Sequence, residues 1–114
     1  MSDQAATMRK SAGEWMEDMR QRGMFRVGIP APWGDGGGYA DIAEASRQLT
    51  LESGDPTIGI GYAVRQIACR SFIGERGSEA QKQRWLPLLT SGEIIALSLA
   101  VSEPDAGARP KLLK

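Results

Sequence analysis

Asp55-Pro56-Thr57-Ile58-Gly59-Ile60-Gly61-Tyr62-Ala63-Val64-Arg65-Gln66-Ile67-Ala68-Cys69-Arg70-Ser71-Phe72-Ile73 is the stretch on which the fold turns. It opens with a helix start: an aspartate that can accept from the following N–H groups, then a proline whose missing N–H is no loss at the first helical position. Ile58, Ile60, Tyr62, Ala63, Val64, Ile67, Ala68, Cys69, Phe72 and Ile73 place apolar side chains on most sides of one helix. A helix that is apolar nearly all round belongs in the middle of a bundle. Gly59 and Gly61 predict the close approach of a neighbouring helix, at up to ~1 kcal/mol each relative to alanine. The helix is predicted over about 56–74, and Gly74 and Gly77 then break the pattern.

Downstream, Ser78-Glu79-Ala80-Gln81 is a capping box, with Ser78 as N-cap and Gln81 reaching back. It predicts a helix over about 79–90 that turns at Pro87 and closes at Ser91-Gly92. Ile94 to Val101 is apolar throughout and reads as a strand-like piece. Upstream, Ile42, Ala45 and Leu49 give a helix over about 39–53 its apolar stripe. Before it stands the loop Gly34-Asp35-Gly36-Gly37-Gly38, and before that Phe25 to Pro32, which alternation and prolines make extended chain. Met8, Ala12, Trp15, Met16 and Met19 form a one-sided stripe on a first helix over about 4–22, with Asp18 and Arg22 spaced for an i,i+4 pair. The expected fold is all-α: a bundle of about four helices with one short strand-like segment near the C-terminus.

A chain of 114 residues makes one domain. Fourteen basic and fourteen acidic residues give no net charge, which argues against a nucleic-acid partner. Residues 27–64 carry five acids and one base, whereas residues 65–87 carry five bases and two acids. These read as solvated faces, with docking surfaces as the alternative. The absence of histidine removes His-based triads and most metal sites, so no metal is expected. Cys69, the single cysteine, has no internal disulfide partner, which makes a reducing compartment the default. Arg9, Lys10 and Glu14 interrupt any signal-peptide pattern, and no apolar run spans a bilayer. The expected location is cytoplasmic, with no membrane partner.

Single motifs name no chemistry. The glycine-rich loop lacks the Gly-Lys-Ser/Thr ending of a nucleotide loop, so a flexible turn is weighed against an anion site. Glu103 has neither a pocket nor a pKa-raising neighbour in the sequence and reads as a structural acid. Cys69 reads as a buried inert thiol, and Trp15, Trp33 and Trp85 as core or inter-helix packing rather than a flavin stack. No catalytic residue is assigned.

The order of segments is more informative: Gly23 to Pro30, Gly34 to Gly38, Leu49 to Pro56 (Leu-Thr-Leu-Glu-Ser-Gly-Asp-Pro), Gly77 to Glu93 and Ser102 to Gly107. This order resembles the N-terminal helical domain of the acyl-CoA dehydrogenases. Two blocks carry the resemblance: Gly77-Ser-Glu-Ala-Gln-Lys-Gln-Arg-Trp-Leu-Pro-Leu-Leu-Thr-Ser-Gly-Glu93, and Ser102-Glu-Pro-Asp-Ala-Gly107. Residues 1–107 are read as that domain and 108–114 as a tail departing from the pattern, as a truncation or reading-frame change would produce.

The resemblance implies an enzyme that oxidises the Cα–Cβ bond of an acyl-CoA thioester. A carboxylate takes the α-proton and the β-hydrogen leaves as hydride to the flavin of FAD. It implies FAD as cofactor, acyl-CoA as substrate, and the family's middle and C-terminal domains, or a homo-oligomer, as partners. Matched position by position, Leu99, Val101, Ser102 and Gly107 fall at the edge of the flavin site, and Ala108 where the family contacts substrate. Ala108 and Arg109 replace a serine and an aspartate of the family. The catalytic base belongs to the later domains, so this chain is not expected to act alone. Alternatives are a helical module completing a split flavoprotein, or part of a related acyl-CoA oxidase or flavin monooxygenase.

Overall fold

The computed structural model of the chain describes residues 10–94. Among them are four α-helices and no strand: α1 (Ala12–Gln21), α2 (Tyr39–Ser53), α3 (Pro56–Ala68) and α4 (Glu79–Ser91). The expected all-α bundle is what the chain forms. All but the first residue of the strand-like stretch Ile94–Val101 lies outside the described residues.

Local chemistry sets each helix end. α1 begins at Ala12, because Ser11 caps it: Ser11 Oγ accepts from Glu14 N and Glu14 Oε1 accepts from Ser11 N, each at 3.2 Å; residues 4–9 of the expected helix lie outside the described residues. Arg22, just past its end, reaches Asp18 at 3.1 Å as the spacing predicts, and Glu52 at 2.8 Å on α2. Asp55 caps α3 by accepting from Thr57 N at 2.9 Å, with Pro56 at the first position. α3 runs without a break into a π-helical segment, Cys69–Glu75, so Gly74 continues the helix instead of ending it. Gly74 lies against the loop, and a methyl group on it would come 3.1 Å from Pro30 Cδ. The Ser78–Gln81 capping box starts α4, which runs through Pro87 to a left-handed Gly92.

The helices enclose two apolar clusters. Met19, Met24, Phe25, Leu49 and Tyr62 join α1, α2 and the first half of α3, with Trp15, Met16, Ala45 and Ile58 packed on them. Ile29, Cys69, Leu86 and Leu89 join the loop, the π-helical segment and α4, with Trp33, Ile73 and Ile94 alongside. Each fully buried Leu or Ile contributes roughly 1.5–3 kcal/mol. Trp15 and Trp33 pack as expected. Trp85 does not: it is exposed, with the Arg84 guanidinium 4.8 Å from its ring centroid.

Two expectations about α3 are corrected. Gly59 does admit α2: Ser46 Oγ donates to Gly59 O at 2.8 Å, and a methyl group there would lie 2.0 Å from Thr50 Oγ1. Gly61 faces open space instead. Nor is α3 enclosed by the described residues. Ile60 and Val64 are each 61% exposed and Ile67 43%, a stripe at i, i+4 and i+7, with Phe72 exposed one turn on.

Phe25 to Pro32 is not extended chain. Met24–Arg26 is a 3₁₀ turn, and Ile29 N then returns to Arg26 O at 3.3 Å. At Gly28 the backbone has φ +75°, and a methyl group there would lie 2.3 Å from Ile42 Cγ1. Alternation of residue types does not make a strand when no neighbouring strand takes up the carbonyls. Here α3 takes them up.

Candidate functional site

The inner side of α3 and of the π-helical segment that continues it carries Tyr62, Gln66 and Arg70 at i, i+4 and i+8. Each donates across to the segment after α1. Tyr62 Oη donates to Met24 O at 2.7 Å. Gln66 Nε2 donates to Phe25 O at 3.0 Å and Val27 O at 2.8 Å. Arg70 Nη1 donates to Gly28 O at 2.8 Å and Gly37 O at 2.7 Å. This ladder of side chains satisfies an irregular backbone segment that would otherwise bury unpaired carbonyls, each costing about 1–3 kcal/mol. Burial pushes the Tyr62 phenol pKa up, so it remains a donor at neutral pH.

The glycine-rich loop is the sequence's best candidate for an anion cradle, and its geometry rejects that role. Asp35 Oδ1 accepts from Gly28 N at 3.0 Å and Gly37 N at 2.7 Å. Asp41 Oδ2 accepts from Gly38 N at 2.8 Å. Gly34 N and Gly36 N bond to Pro30 O and Ile29 O. Asp35 of the loop and Asp41 of α2 occupy the amides that a phosphate would need, and they would repel one. Nor is the loop a free turn: Arg70 clasps it from one side while its guanidinium lies over the Tyr39 ring at 4.9 Å. Tyr39 Oη donates to Glu75 Oε1 at 2.7 Å and lies 2.6 Å from Ser71 Oγ. Glu75 Oε1 also lies 2.9 Å from Arg70 Nε, an ion-pair contact without hydrogen-bond alignment.

Arg65 lies one position before Gln66 and is also buried, 7% exposed. Its guanidinium stacks 3.9 Å from the Phe25 ring centroid. Nη1 donates to Gln66 Oε1 at 2.6 Å, and Nη2 to Leu89 O at 2.6 Å and Ile94 O at 2.8 Å. Burial lowers its pKa from the usual value of 12.5, opposed by the nearby Cys69 and Tyr62. Cys69 is buried and in no disulfide; burial pushes its thiol up, with Arg65 opposing. It is the inert thiol expected.

Leu99, Val101, Ser102, Gly107 and Ala108 lie outside the described residues, as do Glu103 and Arg109. What the structure supplies is the frame from which that segment departs, at Ile94. No group of three or more metal-ligating side chains gathers among the described residues. Sequence reasoning missed Tyr62, Gln66 and Arg70, although their four-residue spacing opposite Ile60, Val64 and Ile67 is a usable signal.

Comparison with known proteins fits this arrangement. The family described as "Acyl-CoA dehydrogenase, N-terminal domain" matches residues 1–93. The chain belongs to the acyl-CoA dehydrogenase family. It is 32% identical over 100 residues to mitochondrial isovaleryl-CoA dehydrogenase of Pongo abelii, covering 87% of this chain and 23% of the relative. It is 33% identical over 96 residues to the short-chain-specific acyl-CoA dehydrogenase of Clostridium acetobutylicum, covering 81% and 24%. It is 37% identical over 84 residues to mitochondrial 2-methylacyl-CoA dehydrogenase of Solanum tuberosum, covering 71% and 20%. The chain thus spans about a quarter of the length of these acyl-CoA dehydrogenases or less. No solved structure matches it significantly. Among the described residues no helix is long and apolar enough to cross a membrane.

Proposed function

We propose that this chain serves as the N-terminal helical domain of an FAD-dependent acyl-CoA dehydrogenase, and that it is not active alone. The family match over residues 1–93 carries the reading. In such an enzyme FAD accepts the hydride lost from the acyl chain. The glycine-rich loop cannot hold the cofactor's pyrophosphate, since Asp35 and Asp41 already occupy its amides. By the resemblance to the family, the flavin-facing residues of this chain are Leu99, Val101, Ser102 and Gly107, with Ala108 near the substrate. Ser102 contributes a hydroxyl and Val101 a backbone group to the flavin edge. The domain runs to residue 107, and 108–114 is a tail. Its partners are the middle and C-terminal domains, or further copies of the enzyme. A free, buried Cys69 suits a reducing compartment such as the cytoplasm.

The test is a domain exchange. Residues 1–107 replace the corresponding part of a short-chain acyl-CoA dehydrogenase. A yellow holoprotein whose flavin absorbance bleaches when a short-chain acyl-CoA is added supports the reading; a folded but colourless chimera overturns it. The 114-residue chain alone, mixed with FAD, should stay colourless. A stable yellow complex there would overturn the claim that the chain lacks a sufficient flavin site.

A further inference from the structure

We infer that the π-helical segment Cys69–Glu75 is a two-register latch: its wide register holds the glycine-rich loop closed, and an α-helical register releases it. A π-helix bonds residues five apart and so stacks them, whereas in an α-helix they stand about 140° apart around the axis. Two such pairs point the same way here. Cys69 and Gly74 are both buried. Cys69 packs with Leu86 and Leu89, and Gly74 lies against Pro30, whose carbonyl accepts from Gly34 N at 3.0 Å. Arg70 and Glu75 form the second pair, with Nε 2.9 Å from Oε1. Arg70 in turn holds Gly28 O and Gly37 O. Tyr39 closes the latch from α2. Its ring lies on the Arg70 guanidinium, and its one phenol proton goes to Glu75, so Ser71 Oγ donates to it. An α-helical register would swing Glu75 away from Arg70 and Tyr39, and Gly74 away from Pro30. Two observations mark the wide register as imposed rather than intrinsic. π-Helical turns are rare in proteins. Arg70 Nε is also the buried side-chain nitrogen left without a hydrogen bond among the described residues. What imposes the register sits at the surface: Tyr39 is 45% exposed and Glu75 is exposed. Exposed ion pairs are worth little, so a small change on the solvent side tips the balance.

The test uses the 114-residue chain with Tyr39→Phe and, separately, Glu75→Gln. Phenylalanine keeps the ring over Arg70 and removes the hydroxyl; glutamine keeps the shape of Glu75 and removes its charge. NOE contacts from Hα to amide protons across residues 69–75 read the register, since an α turn pairs residues three apart and the wide turn residues four apart. Exchange of the Gly28 and Gly37 amides, both bonded to Asp35 Oδ1, reads the loop. The amide of Leu49, fully buried on α2, reads global opening. The expected result is that each variant moves the contacts toward the α pattern and speeds Gly28 and Gly37 exchange about tenfold relative to Leu49. Groups that merely stabilise the fold would speed all three amides together. An unchanged NOE pattern, or a loop exchange that keeps its parent ratio to Leu49, overturns the inference. Should one variant fail to fold, the other decides by the same two readouts. Neither readout involves a flavin, so the outcome is independent of the domain exchange.

Discussion

Gln66 Nε2 lies 3.0 Å from the carbonyl oxygen of Phe25, 41 positions earlier in the chain. With the bond to Val27 O, this one amide holds the turn after α1 against the middle of α3. Replacing it with leucine keeps the volume and strands two carbonyls. Gln66→Leu is expected to cost about 2–4 kcal/mol, read as a lower urea midpoint at unchanged slope. Ser78→Ala, which removes only a helix cap, should cost about 1 kcal/mol in the same assay.

The two glycines of α3 should respond in opposite directions. Gly61→Ala adds a methyl into open space within a helix and is expected to stabilise by about 0.5–1 kcal/mol. Gly59→Ala drives a methyl into Thr50 Oγ1 and Ser46 O and is expected to destabilise by about 1–3 kcal/mol. Thermal unfolding of the pair checks both signs, and equal shifts would contradict the packing of α2 on α3.

Alkaline pH should destabilise the domain. Burial raises the Cys69 thiol above its ordinary 9.0, and burial with nearby Asp35 raises the Tyr62 phenol above its ordinary 10.0. Both groups are neutral when protonated, and the folded state holds these protons more tightly than the unfolded chain. Their stabilisation is complete below about pH 9 and declines as pH rises, first through the thiol and then through the phenol. Cys69→Ser removes the first part of the decline. Tyr62→Phe removes the second and costs about 1 kcal/mol at neutral pH, because Met24 O loses its donor. Denaturation at pH 7, 9 and 10.5 measures all three proteins.

The exposed stripe of α3 should tolerate polarity that the core does not. Val64→Glu is expected to change stability by no more than about 0.5 kcal/mol and to reduce binding of a hydrophobic dye. Leu49→Ala, on the buried side of α2, should cost about 2–5 kcal/mol.

These contrasts follow the limit of what sequence can show. Helix positions rest on local chemistry: Asp55-Pro56 starts α3 and Ser78 with Gln81 starts α4 through groups a few residues apart. The family was legible for the same reason, since Gly77 to Glu93 is a contiguous block. The start of α1 was misplaced because the apolar stripe continues past Ser11, which caps the helix despite it. Phe25 to Pro32 was misread because its carbonyls bond to side chains about forty positions away. The assignment of Leu99, Val101, Ser102 and Gly107 to a flavin edge is a proposal that rests on resemblance alone, since no local chemistry marks them.

The sequence by itself determined that this protein is helical, where three of the four helices among the described residues begin, and which family it belongs to, because caps, prolines and contiguous motifs act over one or two turns. Only the tertiary structure decided that the glycine-rich loop is closed by Asp35, Asp41 and Arg70, that Gly59 packs while Gly61 does not, and that Arg65 grips the end of α4. Each of these depends on groups far apart in sequence that meet only when the helices pack. The side of α3 left exposed is a consequence of that packing rather than of any local pattern.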